Sequence, residues 1–225
     1  MTAPTSAPPG TLDVAPQVFE KRGTTYQLRL LRPDDAARLQ QFFYSHTLET
    51  IQMRYGYAVT RMTPERAREL VGVDQTRDLA LGIVESVDGS EVIHAVGRYC
   101  LDGDGRSAEV AFVVRENRRR LGFASRLLGT LIDVARRRGL TALWGRVRRD
   151  NQPMLALFQH FGGVPVPNGE AGDSEIDVRI ELGPRAPGAK PAGPTPGEPK
   201  ARPIAGLRKR IRRLRTRGAK KTARS

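Results

Sequence analysis

Apolar and polar residues recur at regular spacings along most of the chain between Thr24 and Leu182. Short apolar or alternating runs predict β-strands, and turn residues such as the Asp-Gly pair at Asp88–Gly89 separate them. Four further segments repeat their apolar residues every three to four positions, which predicts amphipathic helices. The predicted strands are 24–31, 78–86, 91–101, 108–114, 140–147 and 175–182, and the predicted helices are 32–45, 62–73, 123–138 and 151–163.

The ends of these helices carry the residue types that start and stop helices. Thr63 precedes Pro64 and is a suitable N-cap, and Asp34 and Asp35 place negative charge in the first turn of the first helix. Gly139 follows the longest helix, where a glycine ends helices. Alternation of strands and helices of this kind predicts an α/β fold.

Composition divides the chain into four parts. Residues 1–22 are rich in Pro, Ala and Thr and are expected to be a disordered N-terminal segment, whereas 23–182 carry the element patterns and form the folded domain. Residues 183–203 consist largely of Pro, Gly, Ala and Lys and are expected to be a linker, and 204–225 form a basic tail.

The formal net charge of +14 is concentrated at the C-terminal end. Residues 183–225 hold fourteen Lys or Arg and one acid, whereas 1–182 hold 24 bases and 23 acids and are close to neutral. A single cysteine excludes an intrachain disulfide. With neither a signal-peptide pattern nor a transmembrane-length apolar run, the sequence predicts a cytoplasmic protein.

The corner between the fourth predicted strand and the long helix has the sequence RRLGFA (Arg119–Ala124). A strand that turns into a helix leaves several backbone N–H groups pointing one way, and the helix dipole adds positive charge, which suits a phosphate. Gly122 would let a ligand approach the backbone. A turn glycine in a solvated basic loop is the alternative. The corner lacks the Gly-Lys-Ser/Thr of a Walker loop and two of the three glycines of the dinucleotide motif.

The pattern Arg/Gln-x-x-Gly-x-Gly/Ala, filled here by Arg119, Gly122 and Ala124, resembles the acetyl-CoA signature of the GNAT superfamily of N-acetyltransferases. The segment from Asn151 to Phe161-Gly162 is similar to the next motif of that superfamily, and the order of the elements also matches. The stretches LRPDDAARLQQFF, TRDLALGIVE and GRSAEVAFVVREN look most like the acetyltransferase domain of bacterial protein lysine acetyltransferases.

This resemblance implies a GNAT fold, in which a mixed sheet of six to seven strands is flanked by about four helices and is splayed between strands four and five. It also implies that acetyl-CoA is the acyl donor, with its pantetheine arm on the backbone of the fourth strand and its pyrophosphate on the corner. No metal is implied. The cofactor-binding residues are then Phe112, Val113, Val114, Arg119, Arg120, Leu121, Gly122, Phe123, Ala124 and Asn151.

Glu109 lies in the fourth strand just before the pantetheine segment. Partial burial disfavours the charged form of an acid and strengthens the carboxylate as a base. Related lysine acetyltransferases place a glutamate in this strand as general base, so the resemblance implies this role for Glu109. The alternative is a solvent-facing acid on an amphipathic strand. Many GNAT enzymes also carry a tyrosine as general acid on the short helix, where this chain has Phe158.

The remaining reactive side chains form no recognisable site. The histidines lack metal-ligand spacing, Asp102–Gly105 lacks the further ligands of a calcium loop, and the cysteine and tryptophan are expected in the core. Three tyrosines flank the region where GNAT proteins build the acceptor site. The residues concerned are His46, His94, His160, Cys100, Trp144, Tyr44, Tyr55 and Tyr57.

The tail has eleven Lys or Arg and no acid from Arg202 onward, with an apolar residue every three to four positions. Like charges oppose a free helix, and a polyanion such as nucleic acid, an anionic membrane surface or an acidic protein would relieve them. A solvated disordered tail is the alternative. Its lysines, Lys209, Lys220 and Lys221, are also candidates for self-acetylation.

Together these features favour an acetyl-CoA-dependent N-acetyltransferase that acts on a primary amine, with a protein lysine as the preferred acceptor. The amine would attack directly in a ternary complex, with Glu109 as the base. Two alternatives remain open. One is a small-molecule amine acetyltransferase, and the other is a non-catalytic acyl-CoA-binding module that docks on nucleic acid or another polyanion through its tail.

Overall fold

The computed structural model describes residues 14–55, 59–166 and 174–183. Within these ranges the chain forms eight β-strands and five α-helices. The strands are β1 (Gln17–Lys21), β2 (Thr24–Leu30), β3 (Leu79–Val87), β4 (Ser90–Leu101), β5 (Ser107–Val114), β6 (Ala142–Arg148), β7 (Val164–Val166) and β8 (Glu175–Glu181). The helices are α1 (Ala36–Tyr44), α2 (Leu48–Tyr55), α3 (Pro64–Val71), α4 (Phe123–Arg137) and α5 (Gln152–His160).

The strand order is β1-β2-β3-β4-β5-β6-β8-β7. The pairs β1–β2, β2–β3, β6–β8 and β7–β8 are antiparallel, whereas β5–β6 is parallel, so the sheet is mixed as predicted. The parallel register of β5 with β6 joins three residue pairs, from Ser107–Ala142 to Glu109–Trp144.

The structure contains more elements than the patterns predict, namely β1, α2 and β7. Strand β1 lies inside the N-terminal segment 1–22 and is a short, exposed edge strand without apolar alternation. Its turn to β2 uses Arg22 and Gly23, both with positive φ (51° and 75°). A two-residue hairpin loop of this geometry is usually Asn-Gly or Asp-Gly, and Arg-Gly gives a much weaker sequence signal.

The residues group into two compact units. The first comprises the chain up to Arg98 together with Ala111–Val134, and the second comprises Tyr99–Val110 together with the chain from Ala135 onward. Strands β4 and β5 and helix α4 contribute residues to both units. Tyr57, the linker beyond Gly183 and the basic tail lie outside the described residues.

The core of the first unit explains why α1 and α3 form where the periodicity predicts them. The apolar stripe of α1 is fully buried against β3, β4 and β5, and Thr63 caps α3 by accepting a hydrogen bond from Arg66 N at 3.2 Å. On β4, a Cβ at Gly97 would stand 3.0 Å from the Phe112 ring and 3.1 Å from Leu127 Cβ. This glycine therefore allows β4 to approach α4 closely.

A buried ion pair ties β2 to the segment that leads into α1. Arg29 binds both carboxylate oxygens of Asp35, at 2.7 and 2.8 Å, and Arg29 also contacts Glu91 at 2.7 Å. Asp35 is completely buried and Arg29 is 4% exposed. Burial alone would raise the pKa of Asp35, but the hydrogen bonds from Arg29 and from the Arg32 backbone lower it.

The second unit is built on β6 and β8, which pair over their full lengths from Ala142–Glu181 to Arg148–Glu175. The connection from β4 to β5 is a turn, as its sequence predicts. It carries the buried Asp102, whose carboxylate accepts hydrogen bonds from Ser107 Oγ and Trp144 Nε1, both at 2.8 Å. Trp144 is half-buried, and its indole N–H contributes to this turn.

Candidate functional site

The corner between β5 and α4 has an unusual backbone. After β5 the chain makes a single 3-10 turn over Glu116–Arg118. It then passes through two positive φ angles, 62° at Arg120 and 79° at Gly122, before α4 begins at Phe123. The first hydrogen bond of the helix runs from Arg126 N to Gly122 O at 3.0 Å. The N–H groups of the three residues between them are therefore left without partners inside the helix.

The space over this corner is open. A Cβ added to Gly122 would have no atom within 4 Å, so the glycine is required by its backbone angle and leaves an unobstructed approach to the helix end. Backbone N–H groups at an open helix N-terminus can bind an anion. The corner thus has the geometry expected for a phosphate cradle.

The cradle is anchored to the segment that joins α1 to α2. Glu116 accepts hydrogen bonds from Thr47 N at 3.1 Å and Thr47 Oγ1 at 3.3 Å, and its second oxygen lies 3.1 Å from His46 Nδ1. Arg119 donates to Thr50 Oγ1 at 2.9 Å. These contacts fix the chain on one side of the corner, and we call them the Glu116 clamp.

The contacts of the clamp lower the pKa of the Glu116 carboxyl. Burial alone would raise the pKa of Glu116, but the hydrogen bonds from Thr50 and the Thr47 backbone and the nearby His46 lower it to about 2. Burial also lowers the pKa of His46. Glu116 is therefore a carboxylate throughout the neutral range. The Arg119 side chain donates one hydrogen bond to Thr50 and is otherwise largely exposed beside the corner.

A second buried group, on β3 and β4, lies near the same corner. His94 is 5% exposed, and its Nε2 lies 2.7 Å from Glu85 Oε2, although the contact lacks hydrogen-bond geometry. Arg118 Nη2 lies 3.8 Å from the same oxygen. Burial, together with the nearby Arg115 and Arg118, outweighs the effect of Glu85 and lowers the pKa of His94.

The predicted pantetheine segment offers its backbone rather than its side chains. Phe112 and Val113 are buried and Val114 is half-buried. The register of β5 with β6 ends at Glu109, before this segment is reached. The backbone of Phe112–Val114 is therefore not part of the β5–β6 register.

Glu109 belongs to the second unit. It is half-buried, and its register partner on β6 is Trp144. Arg146 follows two positions later on β6 and binds Asp177 through two hydrogen bonds, at 2.7 and 2.9 Å. The bond to Asp177 is the main cause of the raised pKa of Arg146, and the charge of Glu109 contributes in the same direction. Glu109 is thus a partly buried carboxylate with an arginine nearby.

Asn151 and Phe158 have structural roles in α5. Asn151 is the N-cap, and its Oδ1 accepts from Met154 N at 3.2 Å. This leaves the amide NH₂ as the part of Asn151 that could bind a ligand. The Phe158 ring is 2% exposed, and its para carbon would lie 2.5 Å from a Cβ at Gly145. A tyrosine hydroxyl at that carbon would collide with β6.

The structure therefore brings the cradle residues Arg119–Ala124 and the segment Phe112–Val114 into one unit, and it places Glu109 and Asn151 in the other. Sequence reasoning missed the Glu116 clamp and the contact of the buried His94 with the half-buried Glu85. The clamp contacts join residues 69 or 70 positions apart, and the His94–Glu85 contact lies across a strand pair, so no local pattern marks either of them. The one available signal was an acid, Glu116, within a run of arginines.

The class of protein follows from comparison with known families. Residues 47–163 match the model of the Acetyltransferase (GNAT) family, and this match spans α2, the cradle and α5. The chain therefore belongs to the GNAT family, and it is an acyltransferase. The predicted family and fold class are confirmed.

Particular relatives are distant in sequence. Acetyltransferase PA5475 of Pseudomonas aeruginosa is 26% identical over 137 residues, which cover 61% of this chain and 74% of that protein. The crystal structure of the GNAT domain of S. lividans PAT is 26% identical, has a TM-score of 0.66 and covers 74% of this chain and 97% of its own. The fold also matches yncA of Salmonella typhimurium, solved with its cofactor acetyl-CoA, at 18% identity and a TM-score of 0.53 over 74% of this chain and 98% of that one.

No helix within the described ranges is both long enough and apolar enough to span a membrane.

Proposed function

We propose that the protein transfers an acetyl group from acetyl-CoA to a primary amine, and that the amine is a protein lysine. The observation that carries this proposal is the open corner at Arg119–Ala124, where the first N–H groups of α4 have no partner within the helix and the Glu116 clamp holds the chain beside them. This is a suitable site for the pyrophosphate of CoA. The structure of yncA with acetyl-CoA supports this choice of donor.

The pantetheine arm would lie along the backbone of Phe112–Val114. This segment has buried side chains and lies beyond the end of the β5–β6 register, so its peptide groups are the natural hydrogen-bonding partners for the amides of the arm. A backbone N–H of the same strand would stabilise the oxyanion that forms on the thioester carbonyl.

Glu109 would accept a proton from the substrate ammonium, directly or through a water molecule. The free amine then attacks the carbonyl carbon, a C–N bond forms, the C–S bond breaks, and CoA leaves as a thiolate that takes up a proton. The partial burial of Glu109 favours this role. Because Phe158 is buried against Gly145, it leaves no position for a tyrosine acid, and the thiolate would leave without one.

The likeness to the GNAT domain of S. lividans protein acetyltransferase (PAT) supports a protein acceptor, and the resemblance of the sequence to bacterial protein lysine acetyltransferases supports lysine as the residue that is acetylated. A direct test is release of the CoA thiol with two amines and a control in parallel: an N-terminally blocked peptide with one lysine, a small polyamine, and, as the control, the same peptide acetylated on its lysine. Turnover with the first peptide, confirmed by a mass increase on lysine, supports the proposal. Turnover with the polyamine alone would show instead a small-molecule acetyltransferase.

The absence of a tyrosine at Phe158 favours a second candidate, a module that binds acyl-CoA without turnover. Such a protein would bind CoA at the corner and would release no thiol with any amine. Glu109→Gln would then change neither CoA binding nor thiol release. The same assay therefore separates the two functions.

A further inference from the structure

A groove of about 410 Å³ lies beside the cradle, between the outer face of α4 and the edge strand β1. Gly122, the glycine of the cradle, forms part of its wall. The groove thus begins at the corner and continues along the helix away from it. Its lining residues are Gln17, Lys21, Gly122, Ser125, Arg126, Gly129, Thr130 and Asp133.

The spacing of these residues explains how the groove is formed. The α4 residues recur at short helical intervals and form one helix face. Gly129 has no side chain, so the surface of the helix is recessed at that position. On β1, Gln17, Phe19 and Lys21 share a face because strand side chains alternate. Phe19 confirms the direction of this face, since its ring packs 6.0 Å from that of Phe123 and the Arg126 guanidinium lies 4.1 Å over it.

The charged residues differ between the two ends of the groove. Lys21 and Arg126 are positively charged, and in the part of the chain that the structure describes neither forms an ion pair with an acid. Arg126 is one helical turn beyond Gly122, whereas Asp133 lies about 10 Å further along the helix axis. The end next to the cradle therefore attracts an anion, and the far end accepts hydrogen bonds.

CoA carries one phosphate in addition to its pyrophosphate, on the 3′-oxygen of its ribose. The ribose of CoA and its 3′-phosphate are only a few bonds away from the pyrophosphate. If the pyrophosphate occupies the corner, they must therefore lie close to Gly122. We propose that the groove binds the 3′-phosphoadenosine end of CoA, with Lys21 and Arg126 on either side of the 3′-phosphate. This inference rests on the proposed function and adds a subsite from β1, a strand that the family model match at 47–163 does not include.

The two cations suit this role differently. Lys21 is a flexible point charge at the end of a strand, and Arg126 presents a planar guanidinium held in place by the ring of Phe19. Ser125 and Thr130 add hydroxyl groups to the same wall, although Thr130 Oγ1 donates its hydrogen to Arg126 O at 2.9 Å. A phosphate here would therefore have two cations and the Ser125 hydroxyl as possible partners.

The test is calorimetric titration of the full chain with CoA and with 3′-dephospho-CoA, which differ only in this phosphate. We expect the wild type to bind CoA at least tenfold more tightly. Lys21→Gln and Arg126→Gln should each reduce the affinity for CoA by about five- to tenfold and leave the affinity for 3′-dephospho-CoA unchanged. Arg22→Gln, which removes a neighbouring cation outside the groove lining, is the matched control and should preserve the preference.

Equal binding of the two ligands by the wild type would overturn the inference and leave CoA binding at the corner intact. A preference that survives in both groove variants would also overturn it. If neither ligand binds, the proposed function fails and this inference fails with it. Melting temperatures of the variants would show that each loss belongs to the groove and not to unfolding.

A second readout uses the distribution of lysine. Lys21 is the only lysine before Lys190, and the remaining five lie in residues 183–225. Acylation with a lysine-selective reagent, followed by mass spectrometry, should show Lys21 protected by CoA and less by 3′-dephospho-CoA. The C-terminal lysines serve as internal controls, and equal protection of Lys21 by both ligands would contradict the assignment.

Discussion

At Gly122 the positive φ selects glycine, and the open space beside it leaves the end of α4 accessible. At Phe158 the opposite condition holds, since the ring fills the space in front of Gly145 and excludes a hydroxyl group. Both residues could be singled out from the sequence, but the reason for each is visible only in the structure. The sequence thus indicates which residues belong to the site, and the structure shows which backbone angle or neighbouring atoms determine the residue type at each position.

Glu109→Gln should lower kcat by about 10²–10⁴-fold while the affinity for CoA stays the same, because a glutamine fits the site but cannot take up the substrate proton. Steady-state thiol release and calorimetry measure the two quantities. Glu181→Gln, which changes an exposed strand acid paired with Arg179, is the control. A Glu109→Gln variant with wild-type kcat would show that Glu109 is only a neighbour of Arg146.

His94 should make the protein less stable in mild acid. Its pKa is lowered by burial, so the unfolded chain takes up this proton near the usual pKa of about 6.5 while the folded chain does so only at lower pH. Stability therefore falls as the pH drops below about 6.5. Melting temperatures between pH 7.5 and 5.5 should decline less steeply for His94→Gln than for the wild type, and identical slopes would refute this assignment.

At the scale of elements, the long periodic helices and the strands of the sheet were predictable because each carries its pattern within a few turns. The periodicity predicts a helix over 123–138, and α4 is found at Phe123–Arg137. Strand β1 was not predictable, since its place at the sheet edge depends on pairing with β2 and on an Arg-Gly turn. Asp35 was expected as a helix-start acid, and its complete burial against Arg29 depends on a strand six residues earlier.

Asp35→Ala should lower the free energy of unfolding by about 3–5 kcal/mol, because it leaves the buried Arg29 without its bidentate partner. Asp34→Ala changes the adjacent but largely exposed acid and should cost less than about 0.5 kcal/mol. Urea titration of both variants measures the difference. Similar small losses for the two would mean that Glu91 alone compensates Arg29.

Glu116→Gln should weaken CoA binding although Glu116 is not proposed to touch the ligand. The variant loses the carboxylate that accepts hydrogen bonds from Thr47 and lies beside His46. The chain before the corner therefore becomes less ordered. Calorimetry should show a lower affinity with an unchanged preference for CoA over 3′-dephospho-CoA. The pKa of Glu116 is about 2 in the folded chain, whereas its usual value is about 4.5. The stability that the clamp gives to the folded wild type should therefore be fully present above about pH 4.5 and be lost only as the pH falls from there towards 2.

At the scale of the whole molecule, charge is separated from fold. Residues 1–182 are nearly neutral, and the excess positive charge lies in residues 183–225, beyond the family match. The sequence reveals this separation directly because it requires only counting. The partner of the tail is a different matter, since many polyanions attract a cluster of arginines equally.

If nucleic acid is the polyanion that the tail contacts, the full chain should bind duplex DNA with a salt-dependent affinity, and truncation after Pro203 should abolish that binding and leave the affinity for CoA unchanged. The tail beyond that point carries ten cations, and each phosphate that it neutralises adds about −0.9 to the slope of log K against log salt. Fluorescence anisotropy over a salt series measures this slope. DNA binding that persists in the truncated chain would assign the interaction to the folded domain.

The central claim is that the corner at Gly122 binds CoA. Calorimetric titration with desulfo-CoA tests it, with the wild type beside Gly122→Glu and the matched variant Gly139→Glu. Both glycines have positive φ, 79° and 72°, and open space at the Cβ position, so the two variants carry the same backbone strain. We predict that the wild type and Gly139→Glu bind and that Gly122→Glu does not, because its carboxylate enters the phosphate position. Equal binding by all three proteins would contradict the account.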